Sequence, residues 1–145
     1  MARVFVSEAT GAAVYVFADD HCPPHVHTRH RGEGWIARVG FSYTGSTVEL
    51  ISIAPLSNVP LPRVVNRLLD DVRAELPACR RSWWAIRQTT CVENRWCVLR
   101  AGGIEMLKGR VRGAKQIAGA WYDPAREWLH LTFRDGTTAD VSIGQ

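Results

Sequence analysis

The sequence predicts an α+β fold: a small antiparallel sheet of hairpins packed on an amphipathic helix and a second short helix, then a C-terminal three-stranded meander. Three observations lead there. Residues 3–53 hold short runs rich in β-branched and aromatic side chains, separated by glycine turns. Residues 61–76 repeat apolar side chains at helical spacing. The tail alternates apolar and polar residues around the pair Asp135-Gly136, whose glycine supplies the positive φ that a hairpin turn needs.

Residues 3–6 and 13–17 read as a hairpin turning near Gly11. The diproline Pro23-Pro24 lacks backbone donors and drives Cys22 out of the helical region, so residues 21–24 form an extended corner and His25 opens the next strand. Residues 35–41 and 47–53 form another hairpin, closed by a turn at Gly45. In the helix that follows, Leu61, Val64, Val65, Leu68, Leu69, Val72 and Leu76 make one apolar stripe, and Pro62 suits the first turn. Pro77 ends or kinks it, and Cys79, Trp83 and Ile86 carry the apolar face into a second short helix, with Trp83-Trp84 as a core edge. Residues 91–99 alternate as a strand, broken at Ala101-Gly102-Gly103. Three further segments, 114–121, 128–133 and 139–143, complete the meander through turns at Asp123-Pro124 and Asp135-Gly136. The domain reading is an N-terminal α+β domain over 1–88, a connecting strand and glycine-containing link over 89–112, and the β-meander over 113–145.

The chain has 145 residues, 46% hydrophobic and 22% charged, which suits one ordinary core. No apolar run approaches the 20 or so residues that span a bilayer, and no signal-peptide core follows Met1, so the expectation is a cytoplasmic protein without a membrane partner. Cys22, Cys79, Cys91 and Cys97 lack metal-type spacing and are expected to be reduced; Cys91 and Cys97, placed on one strand, lie roughly 20 Å apart and cannot bridge. The net charge of +4 is uneven, because residues 60–115 carry twelve Arg or Lys against five acids. A basic middle attracts polyanions and equally makes a soluble helix surface.

Four of the five histidines fall between residues 21 and 30. His25 and His27, two apart on an extended segment, face one way, with His21 across the corner, so that three imidazoles can converge. One reading is a metal site, in which His21, His25 and His27 ligate zinc or another divalent ion and Asp20, Cys22, Glu33 or water completes the shell; no other cofactor is expected. A second is metal-free nucleic-acid chemistry, with His21, His25 and His27 as acid and base, since imidazoles titrate near neutrality, and Arg29, Arg31, Arg38, Arg80, Arg81 and Arg87 on phosphate. A third is purely architectural: ring nitrogens tie the Pro-Pro turn to backbone carbonyls or to Asp19 and Asp20. His130, beside an apolar hairpin, reads as a satisfied surface residue.

The string Asp20-His21-Cys22-Pro23-Pro24-His25-Val26-His27, preceded by Tyr15-Val16-Phe17 and followed by Gly32-Glu33, an extended pair and a helix closing on Trp83-Trp84, resembles the bacterial family named domain of unknown function 4160 over roughly residues 1–88. Residues 113–143, with Leu129-His130-Leu131-Thr132-Phe133-Arg134-Asp135-Gly136, resemble the opening strands of domain of unknown function 2442. Members of the two families are commonly encoded side by side as predicted toxin–antitoxin pairs. The resemblance therefore implies a toxin–antitoxin-type protein that binds or cleaves nucleic acid, RNA above all, with ribonuclease-like activity as its enzymatic form. The chain departs from the pattern by joining both pieces and lacking the later part of the second. The competing class is a non-catalytic module, an antitoxin, regulator or phage-derived inhibitor, that holds a cognate protein partner through a sheet edge and its basic helices. Exposed edges also make a homodimer an expectation.

Overall fold

The computed structural model describes residues 1–101 and 103–143. It contains two antiparallel five-stranded sheets and two α-helices, an α+β protein. The chain clusters into two units, residues 1–42 with 46–88 and residues 43–45 with 89–143. No helix among the described residues is long and apolar enough to cross a membrane.

The first unit is a meander, with β1 (Ala2–Val6), β2 (Ala13–Val16), β3 (His25–His30), β4 (Trp35–Gly40) and β5 (Glu49–Ala54) lying side by side in chain order. The β1–β2 turn uses Gly11 at φ +79°, as its sequence position required. Alternation along each strand sorts the side chains. Val14, Val26, Ala37 and Val39 are buried on one face, while Arg29, Ile36 and Arg38 project from the other. β4 and β5 pair as expected, but residues 41–48 join them in a long loop and not a tight turn at Gly45.

Helix α1 (Pro62–Ala74) starts on its proline and buries Leu68 and Val72. Leu61, assigned to its apolar stripe, is instead the residue capping its N-terminus and is 58% exposed. The break between helices comes before Pro77: Glu75 leaves helical geometry, and Pro77 sits in the first turn of α2 (Leu76–Arg87), where its missing N–H costs nothing. Cys79 and Trp83 are buried along α2, and the Trp83 ring meets Phe41 edge-on at 6.2 Å. Asp71 of α1 accepts hydrogen bonds from Ser7 Oγ (2.6 Å) and Ala9 N–H (3.2 Å), tying the helix to the β1–β2 turn.

In the second unit β6 (Trp96–Arg100), β7 (Gly103–Leu107), β8 (Lys115–Asp123), β9 (Trp128–Phe133) and β10 (Thr138–Ser142) follow the order β10-β9-β8-β6-β7. The three-stranded meander is present, and it forms part of this larger sheet. The strand read over 91–99 begins only at Trp96: Cys91 and Asn94 hold positive φ (63° and 68°), which breaks extended pairing. Cys91 is disulfide-bonded, contrary to the expectation of a reduced thiol. β7 was not announced by the sequence, and of the break read at Ala101-Gly102-Gly103, Gly102 lies outside the described residues. Ile117, Leu129, Leu131 and Phe133 are buried here.

Candidate functional site

The β2–β3 connection builds the site. Beyond β2 the chain turns at Phe17–Asp20, where Asp20 N–H donates to Phe17 O (3.2 Å) and Phe17 N–H donates to Asp20 Oδ2 (2.8 Å). The turn folds the aspartate carboxylate inward. The corner then runs through a cis Cys22–Pro23 bond into β3, and from β3 His25 and His27 project to the same side.

These pieces meet at one carboxylate. His27 Nε2 lies 2.7 Å from Asp20 Oδ1 and His25 Nε2 lies 3.5 Å from the same oxygen. The other nitrogen of His25, Nδ1, lies 2.8 Å from the Pro23 carbonyl and donates to it. The imidazole rings of His25 and His27 stand 5.0 Å apart at 62°, Phe17 packs edge-on against His27 at 4.5 Å, and Trp83 backs His25 at 5.4 Å. Side-chain exposure is 8% for Asp20, 9% for His25 and 16% for His27. Burial pushes the Asp20 carboxyl up, but the Phe17 N–H, the His27 hydrogen bond and the nearby imidazole charges outweigh it, and the net direction is downward from 3.8. Asp20 is therefore held as a carboxylate.

Two cavities open on this cluster, of about 440 and 430 Å³. The first is walled by Tyr15, His21, His27, Arg29 and Arg38; the second by His21, His25, Arg38 and Glu49. Asp20, His21 and Arg38 border both.

The sequence placed three imidazoles together. The structure brings together two, with Asp20 as their common partner, while His21 is exposed on the rim between the cavities. The donor set that converges within 4.8 Å is Asp20, His25 and His27. His30 faces the opposite side, accepting Glu33 N–H at Nδ1 (3.0 Å) and stacking on Trp35. Glu33 accepts the Trp35 indole N–H, far from the shell proposed for it. Cys22 is disulfide-bonded, which corrects both its reduced state and its place as a metal ligand.

The arginines divide. Arg29 and Arg38 line the first cavity, whereas Arg31 is exposed in the turn after β3. Arg80 does not present its charge to a polyanion: it is 2% exposed and donates Nε–H to Ser42 O at 3.0 Å. Arg81 is exposed on α2, away from both cavities. Arg87 reaches from the last turn of α2 to the Ala18 carbonyl (2.7 Å), bracing the turn that carries Asp20. In the second unit His130 pairs with Asp140 and stacks on Trp121, a satisfied surface residue as expected. Phe17 and Tyr15 were missed as site residues, although their two-residue spacing at the end of β2 puts them on one face.

No family model matches this chain, and no curated protein or solved structure matches it either.

Proposed function

We propose that this chain is a toxin–antitoxin-type protein that cleaves RNA by acid–base catalysis at the Asp20–His27 pair. The observation that carries the reading is the 2.7 Å contact between a buried carboxylate and His27 beside a cavity that Arg29 and Arg38 also line. A carboxylate that takes Nε2–H leaves Nδ1 as the basic nitrogen and fixes the ring, which is what a histidine base requires. The resemblance of the Asp20–His27 string to the toxin–antitoxin-associated family supports the same direction.

His27 then accepts the proton of a ribose 2′-hydroxyl as its oxygen attacks phosphorus. The bond from phosphorus to the 5′-oxygen breaks, and that oxygen takes a proton from the His21 imidazolium at the rim. The products are a 2′,3′-cyclic phosphate and a 5′-hydroxyl, with no further reactant. Arg29 and Arg38 stabilise charge on the phosphoryl oxygens. His25, nearly enclosed and directed at Pro23 O and Asp20, is a positioning residue.

A metal reading has one observation in its favour, the convergence of three donor atoms within 4.8 Å. His25 fits it: Nδ1–H on a carbonyl presents Nε2 as a ligand. Two ligands on one tetrahedral zinc stand about 3.4 Å apart, and the 3.5 Å from His25 to Asp20 matches that edge. The 2.7 Å from His27 to Asp20 does not, so a shared ion requires that pair to separate.

The test is cleavage of a single-stranded RNA of mixed sequence, with 2′,3′-cyclic phosphate ends as the product measured. His27→Ala and His21→Ala are each expected to slow it about 100-fold or more, with chelator present or absent. A His27→Ala rate equal to wild type, no turnover at all, or activity abolished by chelation and restored by zinc overturns the acid–base assignment.

A further inference from the structure

Directly opposed residues of an antiparallel sheet project from the same face. In the first sheet Arg3 opposes Tyr15, Tyr15 opposes His27, His27 opposes Arg38, and Arg38 opposes Ser52. With strands about 4.8 Å apart, this row runs about 19 Å across all five. Arg3, Arg38 and Ser52 are exposed, and Tyr15 is half-buried beside His27.

The strands of this face carry three arginines against one acid. Arg3, Arg29, Arg38 and Glu49 are the charged residues of the five strands, and Glu49 sits at the rim opposite Gly40. The turn adds Asp19 and Asp20, the latter engaged by His27 and by Phe17 N–H. An aromatic ring next to the candidate base, with arginine on both sides in one row, matches the alternation of base and phosphate in an extended strand.

We propose that this face takes single-stranded and not duplex RNA, with one base lying on Tyr15 and the flanking phosphates on Arg3 and Arg38; the inference rests on the ribonuclease reading above. A base must be unpaired and turned outward to reach an aromatic ring, and paired bases are stacked away from it. A cavity of about 440 Å³ is of small-ligand size, suited to one nucleotide and not to the width of a helix. Tyr15 is then the residue that selects strandedness, and Arg38, bordering both cavities, places the backbone.

The experiment measures binding of a fluorescent 12-nucleotide RNA, 2′-O-methylated so that it cannot be cleaved, as a single strand and as a duplex. Tyr15→Leu keeps apolar bulk on the face and is expected to weaken single-strand binding about tenfold, while Tyr15→Phe retains it. Arg3→Ala and Arg38→Ala are each expected to reduce the salt dependence by about one released ion, and Arg67→Ala on the exposed side of α1 to change nothing. Equal affinity for duplex, or a Tyr15→Leu variant of intact fold that binds as wild type, overturns this inference while Arg38 dependence leaves the ribonuclease reading in place. Failure of every RNA to bind overturns both.

Discussion

Asp20 is the residue on which the corner turns, because it receives the Phe17 N–H on one oxygen and His27 on the other. Its carboxyl is held below 3.8, so its ionised form stabilises the fold above about pH 4, and that contribution is lost as pH falls through the folded value. Asp20→Asn is expected to cost about 1–3 kcal/mol at pH 7, the worth of hydrogen bonds to a charged group. Urea unfolding at pH 7 and at pH 3 checks this. The gap between the two proteins should narrow at the lower pH, and a gap of constant size would mean that the carboxylate contributes nothing. In the sequence Asp20 stood both as a supplementary metal ligand and, beside Asp19, as an anchor for an imidazole nitrogen, and the second role is the contact that His27 makes. The composition of the corner was legible and its hub was not, since an aspartate next to a histidine gives no sign of which one the backbone folds inward. Arg80 was illegible for a related reason: its carbonyl partner, Ser42, lies 38 positions away in the chain.

At the level of elements, periodicity located both helices and the paired strands of the first sheet and the tail; the errors were displaced ends, a loop in place of the Gly45 turn, and one strand overlooked. Leu61 matched the helical spacing of Leu68, yet it precedes the first helical residue and faces solvent. The two leucines therefore separate pattern from burial. Leu68→Ala, at 1% exposure, is expected to cost about 2–5 kcal/mol, and Leu61→Ala about 0.5 kcal/mol or less, by denaturant unfolding. Comparable losses at the two positions would contradict the boundary of α1. The late start of β6 follows from the positive φ of Cys91 and Asn94: asparagine is a residue type enriched in that region and was a warning the alternation masked, whereas cysteine gives none. β7 escaped notice because a five-residue strand beginning in glycine carries little alternation.

Across the whole molecule, the unit that bears the site also leaves its last strand uncovered: β5 is exposed along nearly its entire length, Leu50 and Ile51 included. An exposed apolar strand at the edge of a sheet invites strand addition. We expect concentration-dependent self-association by analytical ultracentrifugation, abolished by Ile51→Lys with the fold unchanged; a monomer at all concentrations would remove this edge from consideration.

The pairing of β3 with its neighbours has a last consequence. Side chains alternate strictly, so sliding β3 by a single residue would turn Val26 and Thr28 outward and seal both imidazoles in the hydrocarbon interior. A misaligned molecule would thus be inert and sticky at once. Chemistry and solubility are proofread by the same ladder, and variants elsewhere in the sheet that loosen it should lose both together.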